Sequence, residues 1–199
     1  VDPIVVALAF AAIFVVELPD KTFIATLVLS TRYPGPLVWL GVGLAFAVQT
    51  GIAVAIGGVA GLLPTDVVRV AAAVMFLVGA VLLYRESREA DAEEAETERE
   101  YAAKAGEAHG FRIVLTCFLV LFAAEWGDLS QLLTLSLVAK YDAPASVFVG
   151  AFVALLTVSG LAVLVGRVLL NHVRLSLLHQ LGALVCLALA ALTVYELVA

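Results

Sequence analysis

Two short stretches hold the residues that could do chemistry. Glu17-Leu18-Pro19-Asp20-Lys21-Thr22 lies in the first half and Glu125-Trp126-Gly127-Asp128-Leu129-Ser130 in the second. Both read acid, two residues, acid, one residue, hydroxyl, and both interrupt a long apolar run. A carboxylate at bilayer depth costs about 2.5–3.5 kcal/mol on insertion scales and marks an ion or substrate path. Residues three apart share a helix face, so Glu17 and Asp20 point one way, and Glu125 and Asp128 likewise. Where the two stretches cross, four carboxylates converge.

Three things relieve such a cluster. Protons can be held, because burial and like charges favour the neutral acid. Lys21, four residues after Glu17, can pair with it. A hard divalent cation can bind, since carboxylate, hydroxyl and carbonyl oxygens suit calcium, magnesium and manganese. Protons and metal compete for the same oxygens, so binding of one favours release of the other. That is the logic of an exchanger.

Thr22 and Ser130 fall on the opposite face of a regular helix. They reach the cluster only where the helix is broken, which Pro19 and Gly127 allow; otherwise each hydroxyl bonds its own backbone. The carbonyl of Val15, four residues before Pro19, is a further oxygen of the break. Lys21, Gln49 and Gln131 are candidates for supporting roles behind the ligands, with Thr157 at the position equivalent to Gln49. Trp126 reads as packing. Cys117 and Cys186 lie in apolar runs and read as buried thiols, without metal-binding spacing. His109, His172 and His179 read as surface or interfacial. No zinc or copper set is visible, and no bound cofactor is called for.

The elements that must position these residues follow from composition. Of 199 residues, 63% are hydrophobic and 14% charged, against about 25% charged in soluble domains. Mean hydropathy is +1.10. This describes an all-α membrane protein, since apolar runs of about 20 residues fit helical spans, whereas a barrel needs alternating strands of about ten. The net charge of −6 is concentrated in Glu86 to Glu107. No basic patch with interleaved aromatics exists, which argues against nucleic acid as a partner. The lipid bilayer is the expected partner, and a homo-oligomer is left open. No basic region precedes the first apolar run, so it reads as a span instead of a cleavable signal.

Six spans are expected: Pro3 to Ser30, Leu37 to Leu63, Val67 to Tyr84, Phe111 to Val138, Ala145 to Leu170 and Leu175 to Val198. Pro19 predicts a break inside the first. Pro64-Thr65-Asp66 reads as a turn and helix cap. The glycines Gly41, Gly43, Gly51, Gly57, Gly58 and Gly61 suit close helix packing in lipid. Three units result: residues 1–85, an acidic connector at 86–110 read as a soluble helix or tether, and residues 111–199. The halves align at an offset of 108, with Glu17 on Glu125, Asp20 on Asp128, Thr22 on Ser130, Arg32 on Lys140, Tyr33 on Tyr141 and Pro36 on Pro144. Three spans per half make the copies run oppositely through the membrane, giving two inverted three-helix repeats with a site near the midplane. Lys and Arg predominate on the connector side, so that side is expected to be cytoplasmic and both termini outside, in the cell inner membrane.

At the two motifs the chain resembles the uncharacterised protein family 0016, the Gdt-type cation/proton exchangers. Their hallmark is Glu-x-Gly-Asp-Lys/Arg-Thr/Ser, present twice, in the first and fourth spans. The resemblance covers nearly the whole chain. It implies exchange of manganese or calcium against protons, with bacterial members linked to manganese export. It implies Glu17, Asp20, Glu125 and Asp128 as the metal- and proton-binding acids, with Thr22 and Ser130 nearby. Pro19 replaces the first Gly and Leu129 the second basic residue, so the two half-sites are electrostatically unequal.

Three other readings remain at this stage. A basic amino acid exporter would use the acids to hold an ammonium group. An intramembrane aspartyl protease would oppose Asp20 and Asp128 but leave Glu17 and Glu125 unexplained. A passive cation channel would use an acidic ring without proton coupling.

Overall fold

The computed structural model describes residues 1–18, 20–60, 64–88, 97, 99–105, 108–172 and 175–198. Eight long helices occur among them: α1 (Pro3–Glu17), α2 (Lys21–Arg32), α3 (Gly35–Ala60), α4 (Thr65–Glu86), α5 (Phe111–Ala124), α6 (Leu129–Tyr141), α7 (Pro144–His172) and α8 (Leu175–Val198). The described residues include no strand. Helices α3, α4 and α7 are each long and apolar enough to cross a bilayer, and α8 carries a shorter apolar stretch, His179–Tyr195. The first and fourth apolar runs are not straight spans. Helix α1 turns into α2 at 70° and α5 into α6 at 73°.

Local chemistry explains where each broken span starts and stops. Asp2 caps α1 by accepting from the Ile4 N–H at 2.8 Å, and Pro3 opens the helix, where its missing N–H costs nothing. The Asp2 N–H donates to Ser146 Oγ at 2.7 Å, which ties the start of α1 to the start of α7. At the first break, Asp20 caps α2 by accepting from the Lys21 N–H at 2.7 Å. Asp128 caps α6 by accepting from the Ser130 N–H at 3.1 Å. In both copies the N–H of the Asp donates back to the carbonyl of the Glu three residues earlier, at 3.1 and 3.3 Å. Pro19 itself lies outside the described residues. In the second break Gly127 has φ +81°, a backbone state that glycine adopts without a Cβ clash.

Packing is largely reciprocal. The first broken span, α1 with α2, rests on α7, and the second, α5 with α6, rests on α3. Helices α3 and α7 pack on each other, as do α4 and α8. Glycines make these approaches close. A Cβ on Gly41 would stand 2.5 Å from the Val114 carbonyl, one on Gly57 2.8 Å from the Leu135 carbonyl, and one on Gly150 would strike the Val6 carbonyl. Gly51 and Gly58, by contrast, face open space, and Gly61 lies outside the described residues. The third helices break the exchange: α4 also rests on α6, whereas α8 also rests on α1. Helix α2 is buried on every side from Thr22 to Leu29, so protein encloses it instead of lipid.

Three expectations need correction. The cap of α4 is Pro64, with no side-chain hydrogen bond, and Asp66 sits in the first turn. His179 is buried, not interfacial, because it shares the inward stripe of α8 with Ala183, Cys186, Ala190 and Thr193. The connector is not solvated throughout: Thr97 and Tyr101 are buried, and Ala102, Ala105 and Ala108 pack on the main core. Cys117 and Cys186 are free and buried. His109 is exposed, and the side chain of His172 lies outside the described residues.

Candidate metal centre

The two breaks meet. One carboxylate oxygen each from Glu17, Asp20, Glu125 and Asp128 can be chosen so that all four lie within 4.8 Å of one another. The glutamates end α1 and α5 and are almost fully buried, at 1% and 2% exposure. The aspartates, at the N-caps of α2 and α6, are half-buried. This placement follows from the local folding: each Glu closes a helix and each Asp opens the next. Two positive helix N-termini and two negative C-termini therefore converge on one point.

The break also settles where the hydroxyls stand. Thr22 Oγ1 donates to Glu17 Oε1 at 2.6 Å, a contact that a continuous helix would forbid. Ser130 is buried, and its side chain faces Glu17 from the other copy. Lys21 does not pair with Glu17. As the first residue of α2 it is exposed, and the oxygen it would have met accepts from Thr22. The second oxygen, Glu17 Oε2, is buried with no hydrogen-bond partner. A buried, unpartnered carboxylate oxygen is costly unless it holds a proton or a cation.

The supporting residues hold the breaks in shape. Gln131 Oε1 accepts from the Gly127 N–H at 3.1 Å, which fixes the second turn, while its Nε2 is buried without a partner. Gln49, on α3, donates to the Phe122 carbonyl at 2.8 Å in the last turn of α5. Thr157 instead bonds its own helix, donating to the Val153 carbonyl at 2.6 Å. Trp126 is 64% exposed and packs on Phe122. Thr134 belongs to neither motif, although the offset makes its position legible. It falls on Thr26 at 108 residues, and both are buried one turn beyond the motif hydroxyls.

A cavity of about 170 Å³ opens beside the cluster, lined by Val16, Asp20, Leu82, Leu83, Gly127, Asp128, Leu129 and Leu132. It reaches both aspartates and has room for an ion with several waters. Two oxygens on opposite sides of a calcium ion stand about 4.6–5.2 Å apart, so the observed spacing suits a hard cation bound directly. Without one, each ionised pair at this spacing repels by about 3–4 kcal/mol at an effective dielectric of about 20.

A helical membrane protein whose buried acids sit at two broken spans has the architecture of an ion transporter. The chain belongs to the family described as divalent cation/proton antiporter GDT1, whose model matches residues 5–91 and again residues 113–199. The two matched stretches are displaced by 108 residues, the same offset that relates the motifs. It is therefore a family of transporters, not of enzymes. The GDT1-like protein sll0615 of Synechocystis is 36% identical over 140 residues, covering 66% of this chain and 68% of that protein. Protein PAM71, chloroplastic, of Arabidopsis thaliana is 31% identical over 211 residues, covering 96% of this chain and 57% of that protein. GDT1-like protein 1, chloroplastic, of Oryza sativa is 31% identical over 212 residues and is covered to 62% of its length. The chain thus spans somewhat over half the length of these two plant relatives. No solved structure matches it.

Proposed function

We propose that this chain is a secondary transporter that exchanges a divalent cation, manganese or calcium, for protons and exports the metal from the cytoplasm. The observation that carries the reading is the convergence of four carboxylate oxygens within 4.8 Å at the junction of two broken helices. Glu17, Asp20, Glu125 and Asp128 bind the metal, and the same oxygens take protons when it leaves. Thr22 and Ser130 complete the coordination or hold Glu17 in place. The unpartnered Glu17 Oε2 supports a site built for an occupant.

The chain is further read as six spans in two inverted repeats. Reciprocal packing of each broken span on the other half's second helix supports this. The unequal seating of α4 and α8 is what one of two alternating states of such a pair would show. The distribution of Lys and Arg supports a cytoplasmic connector and outside termini; the cell inner membrane is the residence proposed with that orientation. A basic amino acid exporter is the weaker reading, because four acids this close suit a compact divalent charge better than an ammonium group.

Metal binding to the purified protein tests the assignment without any flux. Calorimetric titration with manganese and calcium should show one site that Glu125→Gln abolishes. Unaltered binding in that variant would remove the four acids as the site.

A further inference from the structure

The connector carries one aromatic residue among its charges, and that residue points inward. Tyr101 is only 5% exposed and packs into the same core as Val16, Leu29 and Leu121 of the broken spans. Thr97, one turn earlier, is buried at 6%. The stretch is solvated beside the ring: Glu100 pairs with Lys104 at 2.7 Å, and the exposed Lys104 ammonium stands 5.0 Å from the Tyr101 ring centroid.

Its electrostatic neighbours say what Tyr101 covers. Burial, then the carboxylates of Glu100, Glu125 and Asp20, push its phenol up to about 12. Two of those carboxylates are motif acids, one from each copy. Glu100, next to it, is held below the usual carboxylate range by Lys104, with a smaller contribution from Lys21 at the start of α2. The described stretch around Tyr101 therefore lies near one acid of each break, with the phenol buried in the protein and the Glu100–Lys104 ion pair exposed to water.

We infer that the connector stretch at 99–104 is a lid closed over the four-carboxylate site and that the Tyr101 ring is its plug. This rests on the reading of those acids as the cation site. Passage between the site and the connector side requires Tyr101 to withdraw. Glu100 and Lys104 already face water and move with the lid without being desolvated.

Thiol labelling tests this without relying on transport. Glu125→Cys in the full chain, reconstituted in vesicles with the connector outward, is exposed to a membrane-impermeant maleimide. The native thiols Cys117 and Cys186 are buried and give a low background. Labelling should be slow with Tyr101 present and at least about tenfold faster with Tyr101→Ala, as expected when a local opening becomes easy. Tyr101→Phe keeps the ring and should label like the parent. An unchanged rate in Tyr101→Ala overturns the lid, and equal acceleration in Tyr101→Phe overturns the ring as plug. Labelling as expected, together with no metal movement by the parent protein that keeps Glu125, would keep the lid and lose the exchanger reading.

Discussion

Thr22 Oγ1 donates to Glu17 Oε1 at 2.6 Å and so bridges the break between α1 and α2. The hydroxyl that a straight helix would turn away is thereby brought to the most buried acid of the site. A hydrogen bond to a charged group is worth about 1.5–3 kcal/mol, or about 10- to 100-fold in affinity. Thr22→Val should weaken manganese or calcium binding by about tenfold or more, while Thr22→Ser should bind like the parent. Calorimetric titration of both variants checks this.

The aspartates act twice, as ligands and as helix caps, and the two roles separate by substitution. Asn caps a helix about as well as Asp, whereas Ala forfeits about 1 kcal/mol. Asp128→Asn should therefore lose metal binding and keep its apo Tm. Asp128→Ala should lose binding and also lower the Tm. Thermal unfolding in detergent, with and without metal, distinguishes the two.

Close packing at the glycines gives a prediction independent of the site. A side chain on Gly150 meets the Val6 carbonyl and the Ala9 Cβ of α1. Gly150→Val should destabilise by about 1–3 kcal/mol through overpacking, with a clear fall in Tm. Gly51→Val, which faces open space, should leave Tm nearly unchanged. Equal effects at both positions would contradict the observed α1–α7 contact.

Much of this was readable in the amino-acid sequence. The doubled spacing of acids and hydroxyl, the offset of 108 and the apolar runs were sufficient to place four acids on two facing breaks. What escaped reading depended on how the break turns α2, on register within a helix and on neighbours distant in the chain. Lys21 looks like a partner of Glu17 by helical spacing, but the break rotates α2 so that Thr22 takes that oxygen and Lys21 is exposed. Gln49 reveals its role only once α3 lies against the Phe122 carbonyl. Tyr101 is a single inward residue in a charged segment, so average composition conceals it. His179 was masked by its nearness to a loop, although its register with Cys186 and Ala190 places it on the buried stripe.

Competition between protons and metal predicts how binding depends on acidity. A carboxylate must lose its proton before it ligates, so metal binding releases protons and strengthens as pH rises. Metal at about 100 times its Kd stabilises by about 2.7 kcal/mol. The metal-induced rise in Tm should therefore be large at pH 8 and should shrink as the pH is lowered to 5. A rise independent of pH would separate the metal site from proton binding.

Coupled flux is the most direct test of the central claim. The protein is reconstituted in liposomes that enclose a pH-sensitive dye, and manganese or calcium is added outside. Metal entry should drive proton exit and shift the dye, and Glu17→Gln and Asp128→Asn should each abolish the signal. Metal entry with no proton movement would contradict the exchanger and indicate a channel, and no metal movement at all would remove the cation reading.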